Sequence, residues 1–218
     1  VTYEELVKKI RIRLDDVTLP YLWESSELYD YILESLQEIL VDTCLLSSSF
    51  SSEITADSRY VELKSGYLLD DDLSFKGEVF TVDEDEVFFD TTPLTLLPRE
   101  WTRSNADSGD PRWYYLKRGR LYVYPPPSED GTVYYEGFYN ITSIEDKESE
   151  ILLPKRHQSA IIPGVMAKAY MKPDSDTFYP KKALESEALF KQKIDKIKQD
   201  IMFMERNPKP TEIHEGLL

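Results

Sequence analysis

The spacing of apolar positions along this chain changes period twice. From Thr2 to Asp15, Tyr3, Leu6, Val7, Ile10 and Leu14 recur at helical spacing and share one face of a first helix. Thr2 and Glu5 stand where a capping box needs them, each side chain meeting an otherwise unpaired backbone donor. Pro20 separates this helix from a second, predicted from Ser26 to about Leu45, with Leu28, Ile32, Leu36 and Ile39 on its apolar face and Ser25 or Ser26 as its cap. The two are expected to form a hairpin. Ser47 to Ser52 reads as a Ser-rich loop or an edge strand.

From Glu53 to Ile141 the period becomes alternating. Ile54, Tyr60 to Leu63, Val79 to Thr81, Val87 to Phe89 and Leu94 to Leu96 are short strand candidates divided by Asp and Ser clusters. Pro98 to Trp101 fits one helical turn, and Asn105 to Pro111 is a polar loop. Trp113 then opens a strand in which Tyr114, Leu116, Leu121 and Val123 alternate across the reversal at Lys117-Arg118-Gly119, a pattern suited to a half-buried antiparallel pair. A second reversal at Asp130-Gly131 leads into a Tyr-rich segment.

After Asn140 the helical spacing returns. A third helix is predicted to start near Pro154, where proline costs no hydrogen bond, and to reach Met171, with Pro163 and Gly164 predicting a kink or a break. A fourth runs from Pro180 to about Arg206. Its Phe190, Ile194, Ile197, Ile201 and Met204 fall at steps of four and three, a narrow seam suited to another helix. Pro208 and Pro210 end it, and no repeat of solenoid period is present.

The 218 residues suffice for one domain or two small ones, and 13 Pro against 8 Gly favour stiff connections. A net charge of −15 argues against wrapping DNA, because phosphate binding relies on Lys and Arg displacing counterions. The single Cys44 excludes an internal disulfide and reads as a small buried apolar residue at a helix end. No apolar run approaches the roughly 18 residues of a membrane span, and synthesis in the cytoplasm is expected.

Candidate chemistry is sparse. His157 and His214 are far apart and form no i, i+4 metal pair, so both read as surface or helix-capping residues and no metal is expected. Asp70 to Asp72 and Asp83 to Glu86 lack the glycine and distant Glu of an EF-hand loop and read as solvated turns. No phosphate loop, dinucleotide fingerprint or nucleophile elbow occurs, and neither catalytic residue nor cofactor is assigned. The tyrosines Tyr114, Tyr115, Tyr122, Tyr124, Tyr134, Tyr135 and Tyr139 suit sugar stacking, a protein interface or ordinary packing between strands.

Asp110 to Tyr139 resembles the β-region of the head-to-tail adaptor (connector) proteins of short-tailed, podovirus-type bacteriophages. Thr2 to Leu6, Glu24 to Thr43, Ile151 to Pro154, Tyr170 to Asp174 and the helix from Pro180 are similar to that family's helical parts. The order helix, helix, β-block, helix, helix carries more of the likeness than any single piece. The acidic runs at Asp70 to Asp72 and Asp83 to Glu86 depart from it.

The expected fold is α+β: residues 1–46 and 142–206 form a discontinuous helical bundle, 47–141 an inserted antiparallel β-rich domain, and 207–218 a tail. The resemblance implies a structural virion protein, not an enzyme, that sits as a ring of twelve between the portal protein and the tail nozzle protein. The genomic DNA passes through without specific binding, and no membrane is involved. Phe190, Ile194, Ile197 and Ile201, with Ile213, Leu217 and Leu218 of the tail, are the expected portal contact. Trp113, Tyr115, Tyr122 and Tyr124 are the expected contact to the nozzle or a neighbouring subunit. The alternative is a carbohydrate-binding or hydrolytic accessory protein of a tail, which a Tyr-lined pocket with paired carboxylates would favour.

Overall fold

The computed structural model describes residues 1–66, 74–97, 107–174 and 176–206. The chain is mixed α+β, with four α-helices among the described residues and two sheets between the second and third. The expected elements at Asp70 to Asp72, Pro98 to Trp101, Asn105 and the tail from Asn207, with His214, lie outside the described residues, as does the side chain of Met204. The fold divides into two compact units, Val1–Ser35 with Glu150–Leu218, and Leu36–Ser149.

In the first unit, α1 (Tyr3–Leu14) begins on the expected capping box, and Tyr3, Leu6, Val7, Ile10 and Leu14 are its buried face together with Arg11. The second helix, α2 (Ser25–Thr43), opens differently from the expectation. Glu27 accepts from the Glu24 N–H at 2.8 Å, whereas Ser25 Oγ accepts from the Arg11 guanidinium and Ser26 Oγ donates to Glu24. Neither serine is the cap, because a carboxylate in the first turn already holds the leading donor. The dividing line falls inside α2: Leu28 and Ile32 belong to the first unit, and Leu36, Ile39 and Leu40 to the second.

The third helix, α3 (Ile161–Ala169), starts seven residues after Pro154. The intervening chain turns and then forms a 3-10 segment at Gln158–Ala160, where the Gln158 amide donates to the carbonyls of Leu153 and Ile151. With this start, Pro163 lies in the first turn, where the missing N–H had no helical partner, so it interrupts no hydrogen bond of the helix interior. Gly164 serves close approach: a Cβ there would stand 2.8 Å from Ser35 Oγ and 2.9 Å from the Phe190 ring. The fourth helix, α4 (Pro180–Arg206), packs along α3. The seam Phe190, Ile194 and Ile197 is therefore interior, at 2–4% exposure, and Ile201 is half-buried.

His157 is buried, not on the surface as expected, and its side chain makes no helix cap. Its Nε2 accepts from Arg156 Nε at 2.9 Å. Burial first, and then the neighbouring Arg156 charge, hold its pKa below the ordinary 6.5. Cys44 is half-buried, with a left-handed backbone (φ 48°) just past the end of α2.

Among the described residues the second unit holds nine strands in two sheets. In the first sheet, β1 (Ser47–Ile54) forms an edge, followed by β9 (Gly131–Ile144), β4 (Phe75–Phe89) and β3 (Ser65–Gly66), with β5 (Thr92–Pro93) also on β4. The second runs β2 (Tyr60–Glu62), β8 (Arg120–Tyr124), β7 (Trp113–Lys117), β6 (Thr95–Leu96). Among the described residues the strand pairs are antiparallel, as expected for this region, except the two-residue β6 with β7, which is parallel. The run Asp83 to Glu86, expected as a turn, lies inside β4. Val82 pairs with Gly137 and Val87 with Tyr135, so a bulge takes up the acidic residues while both valines stay buried.

Gly164→Ala should destabilise the protein. Overpacking costs about 1–3 kcal/mol, more than the helix-propensity gain of about 1 kcal/mol. A melting temperature at or above wild type would show that Ser35 and Phe190 give way. For His157, the folded pKa is below the unfolded one, so its contribution to stability is full above pH 6.5 and is lost as pH falls toward the folded value. Thermal melts between pH 7 and 5 should show a steeper loss in wild type than in His157→Gln, and equal slopes would overturn this.

Candidate interaction surfaces

The surface features of both units are organised by residues that are themselves buried or register-locked. In the first unit the connection between α1 and α2 turns around Asp16, 3% exposed. Its carboxylate accepts from Arg11 Nη1 at 2.5 Å, from the Leu22 N–H at 2.8 Å and from the Trp23 N–H at 3.4 Å. Arg11, also buried, stacks its guanidinium 3.8 Å from the centre of the Tyr21 ring. Trp23 is anchored inside by its Nε1 donating to the Ala169 carbonyl at 3.0 Å.

This buried framework presents an apolar exterior. Val17, Leu19, Tyr21 and Leu22 are all exposed, Leu19 at 73%. The α3–α4 connection adds exposed Met171, Phe178 and Tyr179. Lys172 ties the two connections together, its Nζ donating to the Leu22 carbonyl at 3.1 Å and to Glu27 at 2.9 Å. That bond raises the Lys172 pKa. Beside α3 and α4 lies a cavity of about 300 Å³ lined by Ile162, Pro163, Met166 and Leu189, with Arg13 and Lys193 at its rim.

In the second unit the β7–β8 hairpin sorts its residues by parity. Its two-residue turn, Arg118 and Gly119, has φ of 52° and 72°, the pair of positive values that matches the twist of the strands. Tyr114, Leu121 and Val123, with Val61 of β2, form the buried face. The opposite face carries Trp113, Tyr115, Tyr122 and Tyr124, all half-buried, and the register adds Tyr60. Tyr115 and Tyr122 stack at 4.7 Å and 10°, Tyr60 meets Tyr122 at 5.2 Å, and Trp113 meets Tyr124 at 6.1 Å.

Arg120 closes one end of this ladder, its guanidinium 4.4 Å from the Tyr60 ring centre and its Nε 2.8 Å from Glu62. The remaining tyrosines divide. Tyr135 and Tyr139 are buried around Phe50, whereas Tyr134 is exposed. Tyr114 is interior, and its hydroxyl donates to the Glu84 carbonyl at 3.2 Å; burial, then the charges of Glu84 and its neighbours, push its pKa up to about 12.

The four expected sheet residues are thus brought together on one face, while Phe190, Ile194 and Ile197 are withdrawn into the helical core and do not form a free contact surface. Ile213, Leu217 and Leu218 lie outside the described residues. The exposed connection around Asp16 was not anticipated. Its sequence signal was Val17, Leu19, Tyr21 and Leu22 clustered around Pro20 in a stretch too short for an element. Among the described residues no three metal-ligating side chains converge, and no helix is long and apolar enough to cross a membrane.

Asp16→Asn removes one partner of a buried ion pair and should cost about 3–5 kcal/mol, because Arg11 is left charged in the interior. Equilibrium urea unfolding measures this, and a loss under 1 kcal/mol would mean that water reaches the site. No curated protein matches the chain. The profile described as SU10 adaptor protein matches residues 1–209, and the chain therefore belongs to this family of phage adaptor proteins.

Proposed function

We propose that this adaptor joins the portal protein to the tail nozzle protein as a ring of twelve copies, with the genomic DNA passing through its centre. The observation that carries the reading is that each unit exposes its own docking surface on a locked frame. The helical unit exposes the two linked connections around Leu19 and Phe178, and the sheet unit presents the half-buried aromatic face around Tyr115 and Tyr122, edged by the exposed Tyr60. Large exposed apolar patches mark interaction sites, and an adaptor needs at least two. No catalysis enters this reading.

The helical part acts as a discontinuous bundle built from both chain ends, residues 1–46 and 142–206, with 47–141 as the inserted β-rich domain. It contacts the portal through the exposed connections, supplemented by Ile201 and by Ile213, Leu217 and Leu218 of the tail. The aromatic face meets the nozzle or a neighbouring subunit. Free copies stay monomeric or weakly associated through mutual repulsion of their −15 charges and assemble on the portal. The ring is a virion component assembled in the host cytoplasm.

The ring geometry disfavours a sugar-binding role. A sugar stacks on an open ring face, whereas Tyr115 and Tyr122 each cover one face of the other and the Arg120 guanidinium stands over the Tyr60 ring. Two paired substitutions test the division of labour. Leu19→Ser/Phe178→Ser should abolish co-sedimentation with portal and leave nozzle binding intact, and Tyr115→Ser/Tyr122→Ser should do the reverse. Circular dichroism must remain native in both. Full binding by both variants to both partners would overturn the assignment.

A further inference from the structure

The helical unit also contains a basic pocket, which the docking surfaces above leave unused. A cavity of about 130 Å³ is lined by Arg156, His157, Ser159, Lys193, Lys196 and Asp200. Lys193 and Lys196 also line an adjoining open depression of about 570 Å³, with Gln192, Asp195 and Gln199. Two contacts position the rim: Lys193 Nζ donates to Ser159 Oγ at 3.3 Å, and Arg156 Nε donates to the buried His157. Lys155, Arg156 and Lys196 are exposed. In a chain of net charge −15, this is a local reversal of sign.

The matching feature is the bulge of β4. Glu84, Asp85 and Glu86 are exposed, and no salt bridge among the described residues engages Asp83 to Glu86. The bulge is held in place, since the Tyr114 hydroxyl donates to the Glu84 carbonyl and the Asp85 N–H donates to Asp83 Oδ1 at 3.0 Å. A tip with four carboxylates is thus held at the surface, with no ion pair to it among the described residues.

We propose that the basic pocket of one copy receives the Asp83 to Glu86 bulge of a second copy. The occupant follows from charge complementarity and symmetry: a contact between two different patches of the same chain is heterologous, and heterologous contacts generate rings when the rotation closes. DNA fits the pocket less well. Asp195 and Asp200 interrupt the cations, whereas nucleic-acid binding uses a continuous basic stripe. The inference deepens the ring reading of the proposed function and rests on it.

Two experiments test it. In the first, wild-type protein, half of it labelled with ¹⁵N, is treated with a carbodiimide, which joins amine and carboxylate only in direct contact. Mixed-isotope links between Lys193 or Lys196 and Glu84, Asp85 or Glu86 are expected in the presence of portal. In the second, ring formation on portal is followed by sedimentation velocity for Lys193→Glu/Lys196→Glu and for Glu84→Lys/Glu86→Lys. Each alone should assemble at least about tenfold more weakly, because like charges then face each other. An equimolar mixture should recover, since every reversed pocket can meet a reversed bulge.

Unchanged assembly of the single variants, or a mixture that fails to recover, would overturn the proposal. So would loss in the pocket variant alone together with loss of double-stranded DNA retention, which would assign the pocket to nucleic acid. If wild type forms no ring but the mixed-isotope links appear, the ring reading fails and the contact stands. If it forms rings without those links, the contact fails and the ring stands.

Discussion

A carboxylate sealed from water, Asp16, fixes the feature of the helical unit on which its surface depends. Charge in the interior is tolerated only when paired and hydrogen-bonded, and Asp16 has the Arg11 guanidinium and two backbone donors in reach. The arrangement pulls Leu22 and Trp23 back toward the end of α1. In doing so it turns the short apolar residues Val17, Leu19 and Tyr21 outward. An exposed apolar connection would ordinarily collapse inward. Here collapse would uncover a buried ion pair, so the polar interior stabilises the apolar exterior.

The sheet unit reaches the same end by parity. Side chains alternate across a strand, so burying Tyr114, Leu121 and Val123 commits Trp113, Tyr115, Tyr122 and Tyr124 to the other face. This much was legible from the sequence, because it depends on neighbours along one hairpin and on a turn whose residues announce it. The joining of Tyr60 and Arg120 to the ladder was not, since the register of β2 against β8 is set at long range.

The same division between local and distant causes explains the helices. The capping box at Thr2 and Glu5 lies within four residues, and α1 has the expected face. The start of α3 depends instead on the Gln158 side chain meeting the carbonyls of Ile151 and Leu153, so the rule for proline at a first turn pointed to Pro154 while the chain used Pro163. The seam of α4 was legible as a helix-facing seam, but its partner could not be read from spacing, and that partner is α3. Charge runs misled for a comparable reason. Val82 and Val87 are five apart and would face opposite sides of a regular strand, so burying both requires a bulge, and the acidic residues between them occupy it.

That bulge connects local geometry to assembly. Copies of net charge −15 repel one another at long range, and the repulsion is screened beyond about 10 Å at 0.1 M salt. A contact between them is favourable only where opposite signs are placed at short range and held there, since a mobile carboxylate loses side-chain entropy on pairing. The Tyr114 hydroxyl and the Asp83 carboxylate hold the backbone of the tip in advance, so that only the side chains are left to order on pairing. In the proposed ring, general repulsion with one local attraction would keep copies apart until a template aligns them, so assembly would depend on the distribution of charge as much as on its total.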